Sequence, residues 1–270
     1  MRHLPPIQSV LIGAAALLIT GARFVPHSDA TGPVLRTAGA IVNGPAATSS
    51  MLAAGSTGAI ATTTNAAVAA LAHVVRPLSH PHALEDAFRS YFAYKTAHPG
   101  EVRKPFLYFV DYGLPSTTPR GYVFNMQSLK IVDGPFTVAH GRGSSTSKYG
   151  VPTRFSNVLG SAATSLGLYL AQATYAFHGK SGGHSYGSIG LKLMGVSSGF
   201  NDNAFVRRVV AHGAPYVTPT KAGRSEGCPA MEPSRAQQLL PKLADGGMVF
   251  LFAPDSRWMN ADPWLAESGE

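Results

Sequence analysis

Apolar positions along this chain change their period several times, and each change predicts an element. Within "SHPHALEDAFRSYFAYKTAHPG" (79–100), Leu84, Ala87, Phe88, Tyr91 and Phe92 recur at three- and four-residue intervals. That spacing predicts a helix with one buried face. Pro81 stands near its start, Glu85 and Asp86 fall in its first turns, and His98, Pro99 and Gly100 close it. The pattern then becomes continuous or two-residue. "FLYFVDYG" (106–113), "GYVFNMQS" (121–128) and "PFTVAHG" (135–141) are aromatic or β-branched runs between turn residues. So are "LGLYLAQATYAF" (166–177), "SIGLKLMGV" (188–196), "AFVRRVVAHG" (204–213) and "GMVFLFAP" (247–254). All seven predict strands. A last helix is predicted over 233–240, with Pro233 in its first turn and Pro241 ending or kinking it. Many short strands without regular helical alternation give a mainly β fold with a few helices outside it, as a mainly antiparallel sheet or barrel.

The first part of the chain reads differently. Arg2 and His3 precede an apolar run from Val10 to Thr20 that only Gly13 interrupts, and small residues follow it. This is the pattern of an export signal, residues 1–22, with Ala30 as a later cleavage point. The run is short against the ~20 apolar residues of a bilayer span; an uncleaved anchor is the alternative. From Thr37 to Val75 there is no Asp, Glu, Lys or Arg, and Ala, Thr, Gly and Ser dominate. So little bulky apolar material predicts a flexible spacer over 23–76, with a short Ala-rich helix over 65–75. The working domain is then 77–270.

Charge narrows the partners. The formal net charge is +8, but Lys and Arg are scattered, and no zinc-finger spacing or RNA-binding aromatic signature accompanies them. Nucleic acid is therefore not an expected partner. An acidic extracellular polymer fits the charge, and so does plain solubility.

One thiol, Cys228, lies in "GRSEGCPA" (223–230) among glycines and a proline. With no second cysteine it has no partner in its own chain. It is a buried small hydrophobe, an intermolecular bridge or a nucleophile. Other chemistry fits less well. "HGKSGG" (178–183) lacks the glycine a phosphate-binding loop needs; Thr174 holds that place. His140, His178, His184 and His212 lie near turns, but no H-E-x-x-H or paired-cysteine spacing joins them, so no metal is expected, with a zinc hydrolase as the alternative that ten histidines leave open. His212, at the end of an apolar run and before Gly213, is the strongest companion for Cys228. It is either a satisfied core histidine or an imidazole that takes the thiol proton, giving a nucleophilic thiolate–imidazolium pair. Gly227 permits unusual backbone angles, and the amides of Gly227 and Cys228 are candidate oxyanion donors. Ser225 and Arg224 brace the loop or are ordinary turn residues.

"VVAHG" followed by "GRSEGCPA" resembles the signature of the YkuD-type L,D-transpeptidases, the branch described as murein L,D-transpeptidase catalytic domains. The resemblance extends through "VAHGRGS", "RFSNVLGSAATSLGLY", "YAFHGKSGG" and "GLKLMGVSSGFNDNAFVRRVV". It implies Cys228 as nucleophile and His212 as general base. Gly213, Arg224, Ser225 and Gly227 take their places around them; His178, His140, Asn203 and Arg207 are candidates for substrate contact or for orienting His212, and a backbone carbonyl is the other candidate for orienting it. The widespread family form has His where this chain has Glu226, and Arg or Asn where it has Ala230. These differences bear on donor-peptide binding more than on the nucleophilic step. The resemblance also implies a YkuD-like β-sandwich or barrel, peptidoglycan stem peptides as donor and acceptor, a periplasmic or wall location and no cofactor. Crosslinks would join two third-position residues, or a first and a third. Hydrolysis by the same fold, as a carboxypeptidase or endopeptidase, and a non-catalytic wall-binding module are the alternatives.

Overall fold

The computed structural model describes residues 45–265. The expected export signal lies outside them. Among the described residues no helix is long and apolar enough to cross a membrane.

Of the expected spacer, residues 23–44 lie outside the described residues, and in the remainder the chain forms helix α1 (Pro45–Leu71). Ile60, Thr64, Ala67 and Leu71 lie at helical spacing, and the last three are buried where α1 packs on α2 (Ala83–Ala97). Alanine is the strongest helix former, and a stripe of small residues lets the two backbones approach. The expected helix over 65–75 is thus the end of a longer one. In α2 the predicted face is buried at Leu84, Ala87, Phe88 and Tyr91.

Twelve strands follow: β1 (Phe106–Asp111), β2 (Gly121–Asn125), β3 (Lys130–Phe136), β4 (His140–Gly141), β5 (Gly167–Ser181), β6 (His184–Gly195), β7 (Val210–Gly213), β8 (Val217–Thr218), β9 (Lys221–Ala222), β10 (Arg224–Ser225), β11 (Ala230–Met231) and β12 (Met248–Phe252). Helix α3 (Pro233–Leu243) precedes β12, and α4 (Ser256–Met259) follows it. Eight strands make one sheet in the order β11-β7-β6-β5-β12-β1-β2-β3. Pairing is antiparallel except at β1–β12 and β11–β7, which are parallel. Every residue of β12, and all of β1 after Phe106, is buried. These continuous apolar runs mark strands covered on both faces. Helices α2 and α3 supply cover, α2 on β12, β1 and β5, and α3 on β6, β7, β1 and β5.

Two expectations fail locally. Residues 204–208 are turns rather than strand, because short-range bonds hold them: Ala204 N–H to Asn201 O at 2.8 Å and Arg207 N–H to Asn203 O at 2.9 Å. Helix α3 runs through Pro241 to Leu243. A proline inside a helix costs about 3 kcal/mol, but Leu239, Leu240 and Leu243 are buried around it. Each contributes about 1.5–3 kcal/mol by burial, which offsets that cost.

Candidate functional site

The parallel β11–β7 pair brings residues far apart in sequence to one place. Ala230 pairs with His212 and Met231 with Gly213, and the His212 amide donates to the Pro229 carbonyl at 3.4 Å. Cys228, the residue before Pro229, is thereby fixed beside the end of β7. Both side chains line an open cavity of about 620 Å³. The outer half of the β5–β6 hairpin walls it with Phe177, His178 and Tyr186, while Arg207, Tyr216 and Glu226 complete the rim.

The nucleophile loop is clamped at both legs. Before the turn, Arg224 and Ser225 pair in parallel with His140 and Gly141; after it, the Ala139 amide donates to the Ala230 carbonyl at 2.8 Å. Inside the turn, Ser225 Oγ donates to the Cys228 carbonyl at 2.7 Å and accepts from the Gly227 amide at 3.1 Å. The Gly227 amide is therefore engaged, contrary to its expected role as an oxyanion donor. The Cys228 amide has no partner among the described residues and remains available. Gly227 has φ +123°, and a Cβ there would lie 2.9 Å from the Ala163 carbonyl oxygen. Both conditions demand glycine. Gly213 is required for space instead, since a Cβ would meet Ser188 Oγ at 2.4 Å and the backbone of Pro233 at 2.9 Å.

His212 is only 3% exposed. Its ring stacks on Phe177 with centroids 4.1 Å apart, and Nδ1 lies 3.1 Å from the Gly213 carbonyl. A carbonyl only accepts, so Nδ1 carries the proton and Nε2 is left with its lone pair. The orienting group is thus the backbone of the next residue, not His178 or His140. Burial lowers the imidazole to about 4, and the Gly213 bond opposes this. The Cys228 thiol is half-buried, with Sγ 3.9 Å from the Arg208 carbonyl. Burial pushes it up to about 11; a backbone hydrogen bond from Val210 and the Arg207 charge pull it down, and Glu226 pushes it up. Both displacements favour neutral thiol and neutral imidazole at rest. The thiolate–imidazolium pair, one of the two readings the sequence allowed, is disfavoured at rest.

The other candidates are spread out. Arg207 lies beside Gly227 and donates to Ser165 Oγ, Ser161 Oγ and the Ala163 carbonyl. Arg224 lines the cavity and donates to the Ser145 carbonyl at 3.2 Å, while His178 is exposed on the cavity wall. Asn203 is outside the cavity lining, bonded to Asn157 through its amide and side chain. His140 is fully buried beneath the loop, with Arg120 donating to its Nδ1 at 3.1 Å, and burial lowers it to about 3. Arg120 is itself buried, donates to the carbonyls of Val138 and Leu114, and sits 4.7 Å from the Tyr112 ring. Sequence gave no sign of Phe177 under the imidazole or of Arg120 under the loop. It also gave no sign of the Arg142–Glu226 ion pair, 2.7 Å long, at the rim. Among the described residues no cluster of His, Cys, Asp and Glu suits a metal ion.

The L,D-transpeptidase catalytic domain family matches residues 77–252. An L,D-transpeptidase from Mycobacterium smegmatis is 14% identical, with 55% of this chain and 59% of that one aligned at a TM-score of 0.34. An L,D-transpeptidase from Stackebrandtia nassauensis is 16% identical, with 63% and 65% aligned at 0.34. The chain thus spans about three fifths of the length of these structures. No curated protein matches it. With the family matched across the β-rich domain that carries the cavity, the chain belongs to the L,D-transpeptidase catalytic domain family.

Proposed function

We propose that the protein crosslinks peptidoglycan stem peptides by acyl transfer through Cys228. The observation that carries this reading is the β11–β7 register, which seats the only thiol and a proton-accepting imidazole in one accessible cavity. The neutral pair sets the order of events. The thiol proton passes to Nε2 of His212 as sulfur attacks the donor carbonyl carbon. The oxyanion that forms faces the Cys228 amide and, beyond it, the Arg207 charge. Collapse breaks the scissile C–N bond, and the leaving amine takes the proton from the imidazolium. A thioester remains. An acceptor amine then attacks it, with His212 taking the proton and returning it to sulfur. The new bond joins two third-position residues or a first and a third. Attack by water completes the same cycle as hydrolysis.

The reading includes export to the periplasm or cell wall, where the polymer lies. The excess of cations suits an anionic wall. No step needs a cofactor.

The test is incubation with defined tetrapeptide and pentapeptide muropeptides, followed by mass spectrometry. Wild type is expected to yield dimers whose fragmentation locates the new bond. Cys228→Ala should yield none while melting as wild type does. Trimmed monomers in place of dimers would mark a hydrolase. Full turnover by Cys228→Ala would refute the nucleophile.

A further inference from the structure

Two loops beside the catalytic cavity carry an apolar patch that the fold does not cover. Val158 and Leu159 are 67% and 66% exposed, and Phe205 and Val206 are 72% and 65% exposed. These are the most exposed large apolar side chains among the described residues; the next, Val151, is at 41%. The loops are tied to each other. The Asn203 amide donates to Asn157 Oδ1 at 3.1 Å, Asn203 Nδ2 to the Asn157 carbonyl at 3.2 Å, and Asn157 Nδ2 to Asp202 Oδ1 at 2.5 Å. Side-chain hydrogen bonds thus tie together the two loops that carry the four exposed apolar side chains. Isolated exposed apolar residues need no explanation, but a grouped, braced set marks an interaction site.

The flanking charge identifies the occupant. Arg154 lies just before the first loop, and Arg207 and Arg208 just after the second. None of the three pairs with a carboxylate among the described residues. Asp202, the acid between the loops, is held by Asn157. Arg207 is bonded to Ser161, Ser165 and the Ala163 carbonyl, which leaves the exposed Arg154 and Arg208 beside the patch; apolar side chains flanked by such cations match an interface with acyl chains beneath and anionic headgroups above. A second copy of the chain fits less well. Four such side chains expose on the order of 500 Å², against ~800 Å² per partner in a stable interface, and like-charged rims repel. We propose that this patch docks on a lipid bilayer bearing anionic headgroups. Arg207 and Arg208 also line the catalytic cavity, so docking holds the cavity mouth close to the bilayer. The docking is independent of the thiol, and Cys228→Ala is expected to retain it.

The test uses the full chain, so that every variant carries the same N-terminal residues. Phe205→Trp places a reporter on the patch, and Val74→Trp places one on the segment after α1, where Val74 is 39% exposed; the emission of the parent chain, from Trp258 and Trp264, is subtracted from each. Each is mixed with vesicles of phosphatidylcholine containing brominated phosphatidylglycerol, or of brominated phosphatidylcholine alone. The reporter at 205 should be blue-shifted and quenched at least about twofold by the anionic vesicles, and the reporter at 74 should not. Adding Val206→Asp to Phe205→Trp should abolish the quenching. Equal quenching at 205 and 74, equal quenching by the zwitterionic vesicles, or quenching that survives Val206→Asp would each overturn the proposal. So would a blue shift that grows with protein concentration in the absence of lipid, which marks self-association.

Discussion

Alkylation of Cys228 as a function of pH separates two resting states of the site. With the thiol at about 11, the thiolate fraction is about 1 in 10⁴ at pH 7 and about 1 in 10² at pH 9. The reaction with iodoacetamide should therefore accelerate about tenfold per pH unit between pH 6 and pH 10. A resting thiolate–imidazolium pair would react at a nearly constant rate from pH 5 to pH 8. The two states differ by about a thousandfold in thiolate at pH 8. Burial is the main cause of the high thiol value, so the slope reports the environment of sulfur rather than one neighbour. Glu226 is a secondary cause and is mostly exposed; solvent screening limits the gain in Glu226→Gln to less than about threefold. The chain has one cysteine, so loss of free thiol measures this site alone. A flat profile across pH 5 to 8 would refute the neutral pair and restore the ion pair.

Gly227→Ala should fold less stably by about 1–3 kcal/mol, as expected for forcing a side chain into a disfavoured backbone region, and should lose most muropeptide turnover; wild-type kinetics would show that the tight turn does not place sulfur. Ser225→Ala removes the bonds to the Cys228 carbonyl and the Gly227 amide, so urea melts should show a loss of about 1–2 kcal/mol, with kcat falling more than KM rises. His140 is held at about 3 when folded, against an ordinary 6.5. Below pH 6.5 the unfolded chain binds a proton that the folded chain refuses, so this contribution is complete above 6.5 and fades as the pH falls toward 3. Between pH 7 and pH 4.5 it amounts to about 2.7 kcal/mol. His140→Gln should remove that much acid sensitivity from the urea midpoint, and an unchanged pH dependence would place the buried proton elsewhere.

The runs of buried apolar residues in β1, β12 and the first five residues of β5 were readable because strand segments covered on both faces carry no polar alternation. The same reading erred at 204–208, where "AFVRR" has strand-like composition but Asn201 and Asn203 turn the backbone and send Phe205 and Val206 to solvent. Composition cannot register bonds made by the residues just upstream. Helix α1 was missed because low apolar bulk was taken for disorder; α2 supplies the surface on which a stripe of small residues is enough. At the site, residue types identified Cys228 and His212. The acceptor for Nδ1 and the commitment of the Gly227 amide depend on backbone direction, which residue types do not encode.

The loop that carries Cys228 is held at its ends by main-chain pairing to β4 and β7, while the side chains of Arg224 and Glu226 line the cavity, bonded to the Ser145 carbonyl and to Arg142, and take no part in that pairing. The placement of the sulfur and the lining of the cavity are consequently assigned to separate parts of the same eight residues. If the proposed peptide chemistry takes place here, exchange at 224 or 226 would retune which peptide is accepted while the sulfur stays where it is, so a new preference would arise without relearning the chemistry.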